Sequence, residues 1–337
     1  MTITIREVAK EAGVSIATVS KVINGSPTIS EATTERVNEV MKRLNYYPNL
    51  RARNFAKKSS NNIVFVCNLK KNMAFYNPHL FEIISGVQNY LMNKGYTLTL
   101  FNVDEDASYE QLQRFIGQKS ADAIMLHVSV LTKELEKVVN HFDIPHIMIG
   151  EPPIESKLSW VDINNKLCGE KAAAHMLNCG YTRIIYIGGE ENDTISKQRL
   201  DGVRKILKRR NLPCYEYFTK IVVSSKEEGR ILMRKALQEH KVDGVICGDS
   251  LLALGALKEL ERLNVKIGEE IGVMGFDNYP YSELSEPSMT IVDANLYELG
   301  VKSGKLILAK LKNKDTSKEV YLEDIDIITR SSTKKRI

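Results

Sequence analysis

The stretch VAKEAGVSIATVSKVING, residues 8–25, decides how the N-terminal part of the chain folds. Its spacing predicts two short helices joined at Gly13, since a residue without Cβ accepts the positive φ of a tight turn. Ser15 is a natural N-cap for the second helix. That helix turns Val19 and Val22 to one side. Its other side carries small or polar residues at spacings of three and four: Ile16, Ala17, Ser20, Lys21 and Asn24.

A third helix is predicted over about residues 30–44, with Val37, Val40, Met41 and Leu44 as its buried stripe. The three segments together have the spacing of a helix-turn-helix unit. A helix that begins with short residues can approach base edges in the major groove, where Lys21 can donate to guanine. A helical hairpin that packs on the rest of the protein without touching DNA stays open on geometry alone.

The charge of the chain is concentrated at its N-terminus. Residues 1–60 hold ten Lys or Arg and five Glu, whereas the remainder holds 37 basic and 37 acidic residues. This asymmetry fits a basic module that meets a polyanion and is joined to a neutral body. A solvated helical surface with a few spare lysines explains the same composition.

Length and cysteine content bound the class of protein. The 337 residues suggest about two domains. Without a long apolar run or a secretory leader, we expect no membrane span and a cytoplasmic location. Five scattered cysteines without a CxxC pair predict reduced thiols, and no motif for a metal or a cofactor is present.

The body of the chain reads as an α/β fold. A polar stretch, KKSSNN at 57–62, predicts a domain boundary. Apolar runs that alternate with amphipathic segments predict parallel sheets covered on both faces. One doubly wound sheet is possible, but two of comparable size, divided near 160–164 and 287–292, fit the length better. The runs lie at 63–68, 97–103, 123–128, 146–150, 183–189, 242–248 and 271–276.

Few polar residues follow the carboxyl ends of these strands, where open α/β sheets bind ligands. Asp249 and Asp277 each follow a strand directly, and Arg199 lies in the helix after 183–189. Phe75, Tyr76 and Asn77 follow the first strand. Two carboxylates and a guanidinium suit a hydroxyl-rich small molecule. Each of these residues could instead be a helix cap or a loop contact.

The N-terminal segment resembles very closely the head of the LacI/GalR family of bacterial transcription regulators, and the resemblance continues more loosely to the C-terminus. Its motifs stand at Val8-Ala9, Ala12-Gly13-Val14-Ser15, Thr18-Val19-Ser20, Asn24-Gly25 and Leu44-Asn45-Tyr46-Tyr47-Pro48-Asn49. The resemblance implies a DNA-binding head at 1–48, a hinge helix and linker at 49–62, and an effector-binding and dimerisation domain at 63–337.

The resemblance also implies roles for single residues of the head. Ile16, Ala17 and Lys21 fall where the family reads operator bases. The remaining DNA-binding positions are Ser15, Thr18, Ser20, Asn24, Tyr46 and Asn49. The stretch after Pro48 resembles the hinge helix, with Arg51 and Arg53 beside the DNA backbone. Phe55 stands where the family usually has a leucine that wedges into the minor groove.

For the body, the resemblance implies a periplasmic-binding-protein-like domain of two lobes joined by three crossovers. Lobe one is expected at about 63–160 and 290–325, and lobe two at about 162–288. Arg199 and Asp277 match positions that grip the effector. The family's common Asp-Asn pair is Asn164-Asn165 here, and Trp160 either stacks on a sugar ring or belongs to the core.

The partners implied are a near-palindromic double-stranded operator, a second copy of the chain and a small effector. A sugar is the first choice of effector and a nucleobase the second. Whether the effector releases DNA or promotes binding is open. Residues 79–95, apolar at Leu80, Ile83, Ile84, Val87 and Leu91, form either a dimer face or ordinary core.

A serine hydrolase is the alternative class. Gly248-Asp249-Ser250-Leu251 matches an esterase motif, and Ser250 follows a strand as a nucleophile would. Such an enzyme needs a histidine base, which in that esterase family lies downstream of the serine. All six histidines precede Ser250. We therefore expect no catalytic residues, and interpret Asp249 and Ser250 as a cap and a cleft residue.

Overall fold

The computed structural model describes residues 3–47, 59–69, 78–103, 109–191, 193–220, 225–312 and 319–336. The chain forms two compact units, residues 1–63 with 110–122 and residues 64–109 with 123–337. None of the described helices combines the length and the apolar character that crossing a bilayer requires.

Three helices form the head, as the sequence predicts. They are α1 (Ile5–Glu11), α2 (Ile16–Ile23) and α3 (Glu31–Arg43). Each begins at a hydroxyl residue, and the side chains of Ser15 and Ser30 accept the backbone N–H groups of Thr18 and Thr33. These bonds satisfy donors that a helix start otherwise leaves without partners. Gly13 has a φ of +63°, the left-handed conformation expected of the turn.

A small apolar core holds the three helices together. Val8, Val19 and Val37 are fully buried, and Val22 and Val40 nearly so. The buried valines of α2 lie on the side opposite Lys21, so the helix is packed on one face and exposed on the other. The prediction of an inner valine side and an outer polar side is confirmed.

The described part of the predicted linker is tied down by hydrogen bonds. The carboxylate of Asp122 accepts the backbone N–H of Ser60 at 2.7 Å and that of Asn61 at 2.9 Å. The first strand of the body then begins at Asn62. The second half of the polar stretch is therefore anchored next to the strand that it precedes.

The body alternates strands and helices. Its strands are β1 (Asn62–Cys67), β2 (Thr97–Asn102), β3 (Ala123–His127), β4 (His146–Ile149), β5 (Trp160–Ile163), β6 (Ile184–Glu190), β7 (Tyr215–Thr219), β8 (Gly244–Cys247), β9 (Gly272–Phe276), β10 (Thr290–Asp293), β11 (Glu319–Leu322) and β12 (Asp326–Ile328). Its helices are α4 (His79–Met92), α5 (Glu110–Gly117), α6 (Lys133–Phe142), α7 (Asn165–Asn178), α8 (Thr194–Arg209), α9 (Lys226–Glu239), α10 (Ser250–Arg262), α11 (Pro280–Leu284) and α12 (Leu296–Leu311).

Two six-stranded sheets result, which confirms two lobes over a single sheet. The first has the order β11-β5-β4-β3-β1-β2 and the second β12-β10-β9-β8-β6-β7. Neighbouring strands pair in parallel where the register is defined, except that β12 runs antiparallel to β10. The expected return to lobe one near residue 290 comes later, because β10 still pairs with β9 in the second sheet. The chain crosses between the sheets after β5, after β10 and after β11.

The predicted apolar stripe of residues 79–95 faces the interior of its own lobe. Leu80, Ile83, Val87 and Leu91 are buried, and α4 packs closely on α12. A Cβ on Gly86 would lie 2.1 Å from the Tyr297 carbonyl oxygen, which shows how near the two backbones come. Four of the five apolar residues of the stripe are therefore core. The exposed apolar side chains of α4 are Phe81 and Met92.

The second lobe contains a buried carboxylate that three arginines cover. Glu259 of α10 has no exposed surface, and its oxygens lie 2.8 Å from Arg234 and 2.7 Å from Arg262. Arg230 lies 3.8 Å away. Hydrogen bonds from Arg234 and Arg262 lower the pKa of the Glu259 carboxyl to about 2.

We predict that Glu259→Gln destabilises the chain in a pH-dependent way. A carboxyl with a lowered pKa stabilises the fold above its ordinary pKa, and this contribution is lost as the pH falls toward 2. The arginines are partly solvated, so we expect a loss of only about 1 kcal/mol at pH 7. Thermal unfolding from pH 7 to pH 3 should show the difference shrinking. Glu261→Gln, which removes the carboxylate of an exposed ion pair on the same helix, is the control. An equal, pH-independent loss of stability in both variants would contradict the prediction.

Candidate functional site

The outer face of α2 is free to contact another molecule. Ile16 is 46% exposed although it is a large apolar residue. Ala17 and Lys21 are exposed beside it, one turn apart along the helix. An apolar side chain and a lysine on one exposed face can meet a thymine methyl and a guanine edge. This geometry has the chemistry of a base-reading helix.

The predicted phosphate contacts surround this face. Ser15 and Asn24 are exposed at the two ends of α2. The Asn24 amide donates to the Ser20 carbonyl at 2.9 Å, and the Ser15 and Thr18 hydroxyls are hydrogen-bonded at 2.9 Å. Tyr46 is half-buried against the head core. The predicted hinge positions Asn49, Arg51, Arg53 and Phe55 lie outside the described residues.

Arg199 is the central cation of the second lobe. It is 5% exposed, and its Nη1 donates to the Gly248 carbonyl at 2.8 Å. Its Nε donates to the Asn165 side chain at 3.2 Å, and its guanidinium lies 4.2 Å from the centre of the Phe276 ring. A buried guanidinium held on three sides keeps one orientation, as recognition of a small ligand requires.

Two glycines bring Arg199 to this place. α7 and α8 cross so closely that a Cβ on Gly169 would lie 1.8 Å from the Arg199 carbonyl oxygen. Likewise, a Cβ on Gly202 would lie 2.0 Å from the Lys166 carbonyl oxygen. The close crossing lets Asn165, on the first turn of α7, reach the guanidinium of α8.

Asp277 is the acidic partner of Arg199. It directly follows β9, with a φ of 68° and 2% exposure. Its Oδ1 lies 3.6 Å from Arg199 Nη2, which is an ion pair too long for a hydrogen bond. Its Oδ2 lies 2.9 Å from His79 Nε2. Burial alone would raise the pKa of the Asp277 carboxyl, but the charges of His79 and Arg199 outweigh it and lower the pKa to about 2.

A second group of polar residues also joins the two lobes. Glu151 follows β4 of the first sheet and accepts from Tyr321 at 2.7 Å and from Gln198 of α8. Its backbone N–H donates to the Asp162 carboxylate at 2.9 Å. Burial raises the pKa of the Asp162 carboxyl to about 6, and the nearby Glu151 charge adds to this.

Four buried polar atoms have no hydrogen-bond partner among the described residues. They are Asn68 Oδ1, Gln198 Oε1, Asp277 Oδ1 and the Tyr279 hydroxyl. Leaving a buried polar atom unpaired costs about 1–3 kcal/mol, so such atoms call for an explanation. All four lie in segments that follow the carboxyl end of a strand, where an α/β sheet presents its ligand site. Three of the four are acceptors, so a ligand rich in O–H or N–H donors suits them.

The other predicted effector residues have different environments. Asn164 caps α7 by accepting from Leu167, and Asp249 caps α10 by accepting from Leu252. Trp160 is buried at the start of β5, edge-on to Tyr321 at 5.0 Å. Of the two alternatives for Trp160, a sugar-stacking face or a core residue, its position in this structure is that of a core residue. Phe75, Tyr76 and Asn77 lie outside the described residues.

Ser250 lacks the surroundings of a nucleophile. Its side chain is buried, and its hydroxyl donates to the Phe276 carbonyl. No histidine hydrogen-bonds to it in the described part of the chain. The imidazole of His79 is hydrogen-bonded to the Asp277 carboxylate. This arrangement gives the hydrolase alternative no support.

Several residues of the candidate site are not indicated by the sequence alone. Asn165 belongs to the Asn164-Asn165 pair noted in the sequence, although no local pattern indicates its bond to Arg199, and Gln198 directly precedes Arg199. Tyr279 follows Asp277 by two positions. His79 meets Asp277 across 198 residues, a pairing that no local pattern indicates.

Two family models match the chain. The model of bacterial regulatory proteins of the lacI family matches residues 4–49, and the periplasmic binding protein-like domain matches residues 173–333. The first covers the three helices of the head. The second covers most of the second lobe and the last crossovers.

Characterised proteins of the same kind match over nearly the whole length. The chain is 28% identical over 345 residues to the HTH-type transcriptional repressor PurR of Vibrio vulnificus (strain CMCP6), which covers 98% of this chain and 99% of that protein. It is 29% identical over 340 residues to the repressor of the same name from Vibrio campbellii (strain ATCC BAA-1116), covering 98% and 99%.

Solved structures share the architecture. A complex of the transcriptional regulator CelR with cellobiose is 26% identical, with a TM-score of 0.71 over 98% of this chain and 99% of that one. A lac repressor dimer bound to operator and the anti-inducer ONPF, 20% identical, shares the fold with a TM-score of 0.79 over 99% and 100%. The lacI family match over the head, the periplasmic binding protein-like match over the second lobe and the relatives that cover nearly the whole chain together support a regulator of the LacI/GalR family.

Proposed function

We propose that this protein is a repressor that binds a near-palindromic operator as a homodimer and responds to a small, hydroxyl-rich effector. The head supplies sequence recognition through Ile16, Ala17 and Lys21. Two copies of the chain supply the twofold symmetry that a palindromic site requires. The exposed Phe81 and Met92 of α4 are the large apolar side chains of residues 79–95 that are available to the second copy.

The single observation that carries the effector proposal is a set of unpaired buried acceptors in segments that follow the carboxyl ends of strands, with Asp277 beside Arg199 among them. Asn68, Gln198 and Asp277 each present a buried oxygen without a hydrogen-bond partner among the described residues. A sugar brings several O–H donors on a compact ring, and one carboxylate can accept from two of them. The guanidinium of Arg199 then donates to a ring or hydroxyl oxygen. A sugar is therefore the effector that this chemistry favours.

The proposed response is a shift between two conformers of the body. The effector binds between the lobes and favours the closed conformer by its differential affinity. Closure changes the arrangement of the first lobes in the dimer and, through residues 49–62, the ability of the heads to hold DNA. The direction of the response, release or tighter binding, follows from which conformer binds the operator.

A thermal-shift screen tests the effector proposal. The full chain is heated with cellobiose, ribose and glucose in one series, and with hypoxanthine and guanine in a second. A ligand present at 100 times its Kd stabilises the folded chain by about 2.7 kcal/mol and thereby raises the midpoint of thermal unfolding. A shift with a sugar alone supports the proposal. A shift with a purine alone would replace the sugar by a nucleobase, and a flat response to both series would count against a small-molecule effector of either class.

A further inference from the structure

A surface pocket of the second lobe, which we call the basic pocket, is lined by five basic residues and one acidic residue. It lies between the first turn of α7 and one side of α8, and its volume is about 540 Å³. Ligand sites for small molecules typically enclose about 300–1,000 Å³, so the basic pocket has room for a compact ligand. Its lining residues are Lys166, Asp201, Arg204, Lys205, Lys208 and Arg209.

The packing of two helices brings these cations together. The four basic residues of α8 lie on neighbouring turns of one side of that helix, because they are spaced three and four apart. Lys166 comes from α7 and reaches the same place because the two helices cross at Gly202. A Cβ on Gly202 would lie 2.0 Å from the Lys166 carbonyl oxygen. Residues far apart in the chain therefore contribute positive charge to one pocket.

Two of the five cations are paired with carboxylates. Arg204 donates through Nε and Nη2 to the two Glu216 oxygens, both at 2.6 Å, and through Nη1 to Asp201 at 3.1 Å. The Lys205 ammonium lies 2.6 Å from a Glu170 oxygen. These ion pairs hold Arg204 and Lys205 in place and explain their positions without a ligand.

The other three cations, Lys166, Lys208 and Arg209, form no ion pair within the part of the chain that the structure describes. All three are exposed. The helix dipole accounts for Lys208 and Arg209, because a cation is favourable on the last turn of a helix. It does not account for Lys166, which stands on the first turn of α7, where the dipole opposes a positive charge. A bound anion would compensate all three.

We propose that the basic pocket binds a small organic molecule that carries at least two phosphate groups. Lysine and arginine are the side chains that bind phosphate oxygens most readily, through charge-assisted hydrogen bonds. Lys166 donates from α7, and Lys208 and Arg209 donate from α8. Lys205 adds a donor, since its ammonium has three N–H groups and Glu170 uses one of them.

The carboxylates around the basic pocket favour a compact anion over a long one. Asp201 lines the pocket, while Glu170 and Glu216 bind two of its lining residues. A nucleic acid that crossed this surface would pass close to all three negative charges. A small phosphate compound can contact the unpaired cations alone, so its chemistry fits the pocket better than that of an extended polyanion.

Calorimetric titration of the full chain with sodium pyrophosphate tests the proposal, because this probe consists of two phosphate groups and nothing else. The titration is run at fixed ionic strength without divalent cations. We expect binding of one pyrophosphate per chain, with an affinity that falls as salt rises, since exposed charges are screened. Displacement of the bound pyrophosphate by ADP or by glucose 1,6-bisphosphate then distinguishes a nucleotide from a sugar phosphate.

Two sets of variants locate the bound anion. Lys166→Gln should weaken pyrophosphate binding about fivefold, and Lys208→Gln with Arg209→Gln about twentyfold, as expected for partly solvated charge pairs. Lys137→Gln with Lys302→Gln removes two charges from exposed positions of α6 and α12 and is the matched control. The control should bind pyrophosphate as the unsubstituted chain does.

Arg199→Ala separates the basic pocket from the candidate effector site. We expect it to bind pyrophosphate normally, while the pocket variants bind a sugar normally, so the two proposals fail or succeed independently. Loss of pyrophosphate binding in Arg199→Ala alone would place the anion in the effector site and overturn the proposal. Equal binding by the pocket variants and their control would also overturn it.

Two further results would contradict a specific phosphate site. Equal competition by sulfate at the same ionic strength would mean an adventitious ion only. Failure of both ADP and glucose 1,6-bisphosphate to displace pyrophosphate would exclude an organic ligand. An oligonucleotide that displaces pyrophosphate at a lower concentration than either compound would replace the small phosphate by a nucleic acid.

Discussion

Replacing Lys21 by alanine is expected to weaken binding to the preferred operator by roughly tenfold to a hundredfold, because a lysine or arginine contact to guanine contributes about 1–3 kcal/mol of discrimination. Lys21 is exposed on the outer face of α2, one turn beyond Ala17, and its side chain has no ion-pair partner among the described residues. Its loss should therefore remove base reading without disturbing the buried valines of the head.

The measurement compares an operator selected from random duplexes with unrelated DNA at one fixed salt concentration, since phosphate contacts make every affinity depend on salt. Lys42→Ala removes the same charge from an exposed position of α3 and serves as the matched control. Lys42→Ala should weaken both duplexes equally and by only a few-fold. If Lys21→Ala also affects both duplexes equally, α2 does not read bases.

The head could be predicted almost residue by residue because its information is local. The helices α2 and α3 each start after a serine that caps the backbone amide three positions further on. Gly13 fixes the turn, and the valines repeat at helical spacing within one short stretch. Interactions between residues three and four apart are sufficient to specify such a unit.

Six of the seven strands predicted in the body are mostly buried apolar runs, and the seventh, β2, alternates apolar and polar residues at a sheet edge. Five strands were missed, and each has a physical reason. β5 and β10 have four residues each and include Asp162 and Thr290. β7 and β12 lie at sheet edges with partly exposed residues, as does β11, which pairs only with β5. Short or half-exposed strands lack the apolar run that identifies a central strand.

The site shows the same division between local and distant information. Asp277 was predicted because it directly follows a recognisable strand, and Arg199 because it lies near the start of the helix after another. The partners that orient them were not predicted. Asn165 reaches Arg199 because Gly169 and Gly202 allow two helices to touch, and His79 reaches Asp277 from the other lobe. Such contacts depend on packing between elements that are far apart in the chain.

Arg199→Ala is expected to abolish the response to effector while leaving operator binding close to that of the unsubstituted chain. The Arg199 guanidinium is the proposed donor to the effector, and losing a buried charged partner costs about 2–5 kcal/mol, so effector affinity should fall about a hundredfold or more. The variant also leaves His79 as the described side chain that still contacts the Asp277 carboxylate. The head contains none of the contacts that are removed, so its reading face should be unchanged.

Calorimetric titration with the sugar that gives the largest thermal shift, and operator binding with and without that sugar, measure the two effects separately. Arg199→Lys keeps the charge but cannot donate to both Gly248 and Asn165 in the same geometry. Its effector affinity should therefore lie between those of the unsubstituted chain and of Arg199→Ala. Arg209→Ala, an exposed arginine on the last turn of α8, controls for loss of a positive charge from the same helix. Loss of operator binding together with a lowered unfolding midpoint in Arg199→Ala would assign Arg199 to folding, whereas normal stability with normal effector affinity would remove it from the site.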